Sequence, residues 1–506
     1  MPFTSWSGRL VSPPGPVVLG LFVPLGKPAA LAPVDDVDSM WSPSKEPEMT
    51  DYRARSMWLD GFPGELTPRP SLTGPTDADV VIVGAGFTGL WTAYYLKKAD
   101  PHLRVVVLER EIAGFGASGR NGGWCHTTFP GSRELAEKTH GRQAVVDQQR
   151  ALHQTVYEIQ RVVQEEGIDA RFHLGGQLDL ATTPVQLLRA KEAIEYERSW
   201  GFGEDDYMLL GAAEIRERLK VAGCLGATYT PHGAALDPAR MARGLADVVE
   251  KLGVPIYERT PVTRLDPGVA STPFGDVRAD IVVRATEAFT PELPGYERTL
   301  VPIYSLMIGT EPLPKAFWDE VGWAGREVFG DYRFLIFYAM HTEDDRIALG
   351  GRGAPYHYGS KLSEDYERVP AVQDRLKLLL GELFPTIGEL TVSHRWGGAV
   401  AAARDWYTSA GLDRATGMAW AGAYVGDGVS TTNFAARTLR DLILGHDTEL
   451  TGLPWVNHQS KQWEPEPLRW IGVNAALSAM GSADEAELKT GRPSKRATYV
   501  KRMIGA

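Results

Sequence analysis

The run from Asp79 to Glu109 constrains this chain more than any other segment. Val80-Val81-Ile82-Val83 is a short apolar stretch of β-branched residues, the pattern of a strand covered on both faces in a parallel sheet. Gly84-Ala85-Gly86-Phe87-Thr88-Gly89 follows directly, residues 90–98 have helical character, and residues 104–108 supply a second apolar strand ending at Glu109. This is the size of one right-handed strand–helix–strand crossover, about 30 residues. In that setting each glycine has its own use. Gly84 permits the tight turn, Gly86 lets the backbone approach a diphosphate, and Gly89 lets the helix pack closely on the strand. The helix start, with Phe87 and Thr88, offers free N–H groups and a positive dipole end. Glu109 is placed to accept hydrogen bonds from ribose hydroxyls and to repel a 2′-phosphate.

Two later segments extend the pattern. Residues 114–123 hold five glycines in ten positions, with Ser118, Arg120 and Asn121 adding polar groups beside Gly116 and Gly122. Such a loop exposes many backbone N–H groups, and a long cofactor passing over it would account for the composition. Residues 422–429, with Gly426, Gly428 and Val429, form a second glycine-rich strand-to-helix turn that could stabilise negative charge on a ligand. Read alone, that segment fits an ordinary βα loop equally well.

A chain of 506 residues exceeds what one core usually organises, so two domains are expected. Residues 76–130, 220–295 and 396–450 have nucleotide-domain texture, and residues 131–219 and 296–395 differ from them. The fold class expected is therefore α/β, a Rossmann-type domain interleaved with an α+β substrate domain built on a large, mostly antiparallel sheet. Helices are expected at 133–166, 184–200 and 237–252, a strand pair at 172–181, strands at 302–310, 333–340 and 346–350, and a strand, turn and helix over 417–444. Residues 1–75 are rich in proline and predict an extended, disordered approach, of which 1–48 stands outside the folded unit. Residues 451–506 predict a C-terminal helix at 455–479, a candidate homo-oligomer contact, and a solvated basic tail carrying Lys489, Arg492, Lys495, Arg496, Lys501 and Arg502. The net charge of -11 argues against nucleic acid as a partner. Residues 17–26 are too few to span a bilayer, which needs about 20 apolar residues. Cys125 and Cys224 make neither a disulfide scaffold nor a CxxC zinc pair, and a cytoplasmic enzyme is the expectation.

The set VVIVGAGFTGLWTAYYL, LERE, GFGASGRNGG, IVVRATEAFTPEL and AGAYVGDGVSTTNFAARTL resembles the FAD-dependent D-amino-acid oxidase family over about residues 51–450, and within it the γ-glutamylputrescine oxidase and glycine or sarcosine oxidase-like branch. The resemblance implies non-covalent FAD in an extended pose. It places residues 84–89 at the diphosphate, Glu109 at the adenosine ribose, and Arg110 and the Val262 backbone at the adenine. Residues 116–123 would lie along the ribityl chain and isoalloxazine, and residues 426–429 at the pyrimidine end. It implies hydride transfer from an amine or amino acid to flavin N5, hydrolysis of the resulting imine, and reoxidation by O2 or another electron acceptor, with no obligatory acid–base residue. Tyr304, Arg333, Tyr338, Arg352, Trp396 and Arg404 are the pocket candidates, since arginine can hold a carboxylate and aromatic rings can enclose an amine. For each, a surface arginine or a core aromatic is the commoner outcome. Glu287 departs from the family, where an uncharged polar residue is usual after Ala-Thr. Cys125 and His126 match no covalent flavin attachment, and no metal set is evident, because His341, His357 and His394 lack ligand spacing. Alternatives that stay open are a dehydrogenase passing electrons to a carrier and a non-catalytic FAD-binding subunit. An NAD enzyme fits the first motif alone, and the two later glycine segments count against it.

Overall fold

A computed structural model describes residues 50–496. The segment 1–48 and the end of the basic tail, with Lys501 and Arg502, lie outside the described residues. Among the described residues two eight-stranded sheets and a two-stranded ribbon carry the architecture.

The first sheet runs in the order Ser409–Asp413, Met418–Gly422, Gly275–Arg284, Thr76–Val83, Val105–Leu108, Ile256–Tyr257, with the hairpin strands Arg264–Asp266 and Val269–Thr272 added beside Gly275–Arg284. Thr76–Val83 is parallel to both neighbours, pairing Val80 with Val105 and with Ile281. The lack of polar residues over Val80-Val81-Ile82-Val83 has a direct cause. Val80, Ile82, Val105 and Val107 pack under the helices Phe87–Ala99, Pro238–Lys251 and Gly428–Leu444, and Val81, Val83, Val106 and Leu108 pack on the opposite face with Leu72 and Leu265. Both faces are covered, so neither tolerates a polar side chain.

The second sheet runs Val392–Ala402, Val301–Thr310, Ile347–Gly351, Phe337–His341, Val328–Asp331, Gln177–Ala181, Gly226–Thr230, Met208–Gly211. It is antiparallel except where Val328–Asp331 meets Gln177–Ala181. Trp124–His126 and Gly233–Ala235 form the ribbon.

Several expectations shift in detail. Gly226–Thr230 joins the second sheet although residues 220–295 read as nucleotide-domain texture, and Val392–Ala402 straddles the boundary drawn at 396. A short strand without its own crossover helix carries no signal of which sheet it joins. The helix expected at 133–166 breaks at Gly141, whose φ of +80° ends Arg133–His140 before Arg142–Glu165 begins. The strand pair expected at 172–181 is one strand plus a bridge from His173 to Ala235. The C-terminal helix is Leu468–Thr490 rather than 455–479, because Pro465 and Pro467 stand just before its start.

Residues 51–75, expected to be unordered, are instead a packed strap. Tyr52, Met57, Trp58, Leu59, Leu66 and Leu72 are buried. Ser56 caps the short helix Met57–Asp60 by accepting from Leu59 N–H at 3.2 Å. Arg69 pairs with the fully buried Glu258 at 2.9 Å. His394 lies 3.1 Å from Asp60 in the strap, and Trp58 Nε1 donates to the Asn121 carbonyl at 2.8 Å. The segment has no period to read, and its large apolar side chains find partners far along the chain.

Candidate active site

The site begins where the strand Thr76–Val83 ends. Gly84 has φ +108°, and a Cβ there would stand 2.5 Å from the Ala285 carbonyl oxygen. A Cβ on Gly89 would overlap the Gly84 carbonyl oxygen and stand 3.1 Å from Ile82 Cγ2, so the helix sits against the strand only because that position is bare. Gly86 is the N-cap of Phe87–Ala99 and has no side chain to satisfy the N–H groups of the first turn. Its own Cβ would meet Ser118 Oγ at 2.9 Å, and Ser118 Oγ accepts from Phe87 N–H at 2.8 Å. The first and second glycine segments are thus in contact. Glu109 closes the turn: Oε2 accepts from Ala85 N–H at 2.8 Å and Oε1 from Glu111 N–H at 2.9 Å. Burial pushes its carboxyl up to about 7, against the pull of those two donors and of Arg110. Arg110 pairs with Glu292 at 2.7 Å and lies over the Phe289 ring. Val262 follows two residues after Thr260, whose N–H donates to the Glu109 carbonyl at 2.8 Å.

The second segment is tied down by hydrogen bonds of its own. Asn121 Nδ2 donates to the Ala117 and Ser118 carbonyls at 3.1 and 2.9 Å, and its Oδ1 accepts from Gly123 N–H at 2.8 Å. Arg120 is buried and pairs with Glu367 at 2.6 Å, and burial lowers its pKa against that carboxylate's pull. Trp396 is fully buried and donates Nε1 to the Arg120 carbonyl at 2.8 Å, so it supports the loop from beneath. A Cβ on Gly116 would stand 3.3 Å from the Phe289 ring.

The third turn is organised by Glu287. Its Oε2 accepts from Ala423 N–H at 3.0 Å, and its Oε1 accepts from Tyr424 N–H and Ala401 N–H at 3.2 Å each. One carboxylate therefore ties the turn before Gly428–Leu444 to the edge strand of the second sheet. This explains the family departure, since an uncharged residue could not accept all three so well. Burial pushes its carboxyl up to about 7, opposed by these N–H donors and by Arg284. Tyr424 in turn bonds its hydroxyl to Thr88 Oγ1 at 2.9 Å, joining the third turn to the first. Gly426, at φ +105°, lies beside Arg352, whose Nη2 donates to the Val425 carbonyl at 2.7 Å. Gly428 begins the helix and Val429 is buried in its first turn.

Of the six pocket candidates, Tyr338, Arg352 and Trp396 lie against the glycine segments. The Tyr338 ring is held between Gly122, where a Cβ would stand 2.5 Å from it, and Gly350, where a Cβ would overlap it. Its hydroxyl bonds Ser305 Oγ at 2.7 Å. Trp396 is structural, and Tyr304 is buried with its hydroxyl accepting from Ser363 N–H at 3.0 Å. Arg333 and Arg404 are committed elsewhere, to Asp331 at 2.8 Å and Glu464 at 2.9 Å.

Four residues not proposed as pocket walls join Tyr338. The Trp124 ring lies edge-on to it at 5.8 Å and edge-on to His126 at 5.6 Å. His126 Nε2 stands 3.2 Å from Asp427, and its Nδ1 is buried with no hydrogen-bond partner among the described residues. Asp179 accepts from Gln177 at 2.9 Å and forms no ion pair with lysine or arginine among the described residues. Burial pushes its carboxyl up to about 6, opposed by Gln177 and His126. Gly330 leaves room there, since its Cβ would stand 3.2 Å from Trp124 and 3.4 Å from Asp179. An aspartate inside the apolar strand Gln177–Ala181 was the one sequence signal available for this cluster.

The residues fit an extended dinucleotide: a bare helix start, a carboxylate beside it, and two further glycine segments tied to the first. The comparisons agree. Residues 79–442 match the DAO family model, described as FAD dependent oxidoreductase. The chain is 30% identical over 417 residues to the gamma-glutamylputrescine oxidoreductase of Escherichia coli strain K12, covering 78% of this chain and 90% of that one. It is 24% identical over 426 residues to human mitochondrial dimethylglycine dehydrogenase, covering 77% of this chain and 46% of that one. Among solved structures, glycine oxidase from Geobacillus kaustophilus superposes with a TM-score of 0.62 at 20% identity, over 76% of this chain and 99% of that one. The chain therefore belongs to the DAO family of FAD-dependent oxidoreductases.

Proposed function

We propose that this enzyme, which oxidises the C–N bond of an amine or amino acid with FAD, holds the cofactor non-covalently across its three glycine turns and passes the electrons to oxygen. One observation carries the reading: Thr76–Val83, Val105–Leu108 and Met418–Gly422 all end at one edge of the parallel sheet, and the three turns that follow are bonded together there. Ligands of open α/β sheets bind at that edge. The first turn of Phe87–Ala99, with Gly84, Gly86, Thr88 and Gly89, takes the diphosphate; Glu109 takes the ribose hydroxyls, and Arg110 and Val262 flank the adenine. Gly116, Ser118, Arg120, Asn121 and Gly122 run beneath the ribityl chain and ring. Gly426, Gly428 and Val429 bring the start of Gly428–Leu444 to the pyrimidine end, where its dipole favours negative charge. When bound, FAD supplies the hydride acceptor.

The chain's own contribution is orientation and exclusion of water. Tyr338, Trp124 and His126 pack edge to edge beside the glycine segments and orient the substrate, the unpaired Asp179 receives the ammonium group of a substrate amine, and Arg352 receives an anionic group. The cofactor domain comprises the strands of the first sheet, the substrate domain those of the second. The two unbonded cysteines suit a reducing compartment, so the enzyme acts in the cytoplasm. Among the described residues no helix is long and apolar enough to cross a membrane.

The test is an anaerobic screen of the purified yellow protein. The name of the Escherichia coli relative makes γ-glutamylputrescine the first compound, followed by putrescine, N-methylglycine and D-amino acids. The flavin spectrum should bleach with one of them and return in air with release of peroxide. Protein that carries no flavin, or flavin that no amine bleaches, would refute the reading; bleaching without peroxide would refute the role of oxygen.

A further inference from the structure

Apart from the flavin site, three elements bring two histidines and an aspartate to one point. His153 comes from the helix Arg142–Glu165, Asp206 from the loop before Met208–Gly211, and His232 from the turn between Gly226–Thr230 and Gly233–Ala235. One atom of each lies within 4.8 Å of the others. His232 Nε2 stands 2.9 Å and His153 Nδ1 3.6 Å from the same oxygen, Asp206 Oδ1, the second being beyond hydrogen-bond distance. We propose that His153, His232 and Asp206 form a three-ligand zinc site, with water in the fourth position.

The argument rests on the donor set and on what surrounds it. Zinc takes nitrogen and oxygen ligands at about 2.0–2.2 Å, which in a tetrahedron puts neighbouring ligand atoms roughly 3.3 Å apart. The two measured edges bracket that spacing. Each histidine has its remaining ring nitrogen on a tyrosine hydroxyl: His153 Nε2 on Tyr207 at 2.9 Å and His232 Nδ1 on Tyr157 at 3.0 Å. If these outer nitrogens donate to the hydroxyl oxygens, both inner nitrogens present lone pairs to the shared point, the second sphere that orients imidazole ligands. The histidine side chains are 3% and 10% exposed and Asp206 is 29% exposed, so an ion has a way in past the carboxylate and a dry wall behind it. The two rings now stack at 4.0 Å with 15° between planes, and binding requires them to tilt apart about their Cβ–Cγ bonds. Zinc there would fasten the half-exposed loop at 203–207 to the long helix and to the turn leading into Gly233–Ala235, which pairs with Trp124–His126 at the flavin site. The spacing of 53 and 26 residues between ligands leaves no motif in the sequence.

The experiment uses the full-length flavoprotein, stripped with chelator and then equilibrated with zinc chloride. Elemental analysis should find one zinc per chain, and zinc should raise the melting temperature. Asp206→Asn and His232→Gln should each weaken uptake at least about tenfold and abolish the thermal shift, with flavin content unchanged; His102→Gln, at an exposed position, should behave as wild type. Asp206 is half-exposed on a loop, so its variant remains informative if the buried His232→Gln fails to fold. Wild-type protein that takes up no stoichiometric zinc, or Asp206→Asn protein that takes it up unchanged, would overturn the proposal.

Discussion

Replacing Gly89 with alanine tests the geometry of the turn proposed to hold the diphosphate more sharply than any other single change. Two effects oppose one another. Alanine is favoured over glycine inside a helix by about 1 kcal/mol. The new methyl, however, overlaps the Gly84 carbonyl oxygen and stands 3.1 Å from both the Gly84 carbonyl carbon and Ile82 Cγ2, all rigid neighbours. Forcing a methyl into so close a contact typically costs about 1–3 kcal/mol, and the upper end applies where backbone must move. The net expectation is a loss of about 2 kcal/mol in stability. The larger consequence falls on cofactor affinity, because the helix start shifts away from the strand and carries its N–H donors with it. A loss of about 1.4 kcal/mol there is already tenfold in Kd. Gly381 is the matched control: it is helical, with nothing within 4 Å of its Cβ position, so Gly381→Ala should gain up to about 1 kcal/mol and leave FAD untouched. Apoprotein titrated with FAD by flavin fluorescence, together with melting curves, reads both quantities. If Gly89→Ala binds FAD with wild-type affinity and melts no lower than Gly381→Ala, the close helix–strand contact is not what the glycine is for.

Glu287→Gln should alter the pH dependence of stability. The folded carboxyl sits at about 7 against an ordinary value of 4.5, so between these the folded state holds an extra proton and wild-type stability falls as pH rises. Over about pH 5 to 8 urea unfolding should show the wild type losing about 2–3 kcal/mol more than the glutamine variant, and parallel curves would contradict the assignment. Glu367→Ala strands the Arg120 guanidinium, whose side chain is 2% exposed, and should cost about 3–5 kcal/mol in denaturant unfolding; a change within that method's error would mean the pair is not buried as described. Gly350→Ala drives a methyl into the Tyr338 ring and should reduce kcat/KM with flavin content unchanged, whereas Tyr338→Phe, which keeps the ring and loses one hydrogen bond to Ser305, should cost no more than about 1.5 kcal/mol of stability.

The nucleotide half of this fold was legible because its signals are local. The turn of Gly84, Gly86 and Gly89 sits between a strand and a helix only a few residues away, and Val80 to Val83 are buried on both faces of the sheet, which writes itself into composition. The substrate half is assembled from distant pieces. Asp179, Trp124, His126 and Asp427 come from three segments and meet only because Gln177–Ala181 pairs with Val328–Asp331 and the Trp124–His126 ribbon lies alongside. Arg333 and Arg404 looked equivalent to Arg352 in the sequence, yet local carboxylates claim them. Glu287 was visible as an anomaly, but its purpose depended on three N–H groups more than a hundred residues away.

The strap at 51–75 has a consequence for how the chain is made. Its anchors emerge from the ribosome long after it does: Glu258 follows Arg69 by 189 positions, and His394 follows Asp60 by 334. At translation rates of about 5–20 residues per second, the first apolar residues of the strap wait tens of seconds for the surfaces they will cover. Trp58, Leu59 and Met57 are exposed through that interval, so yield in cells should respond to chaperone supply more than the purified enzyme's stability would suggest.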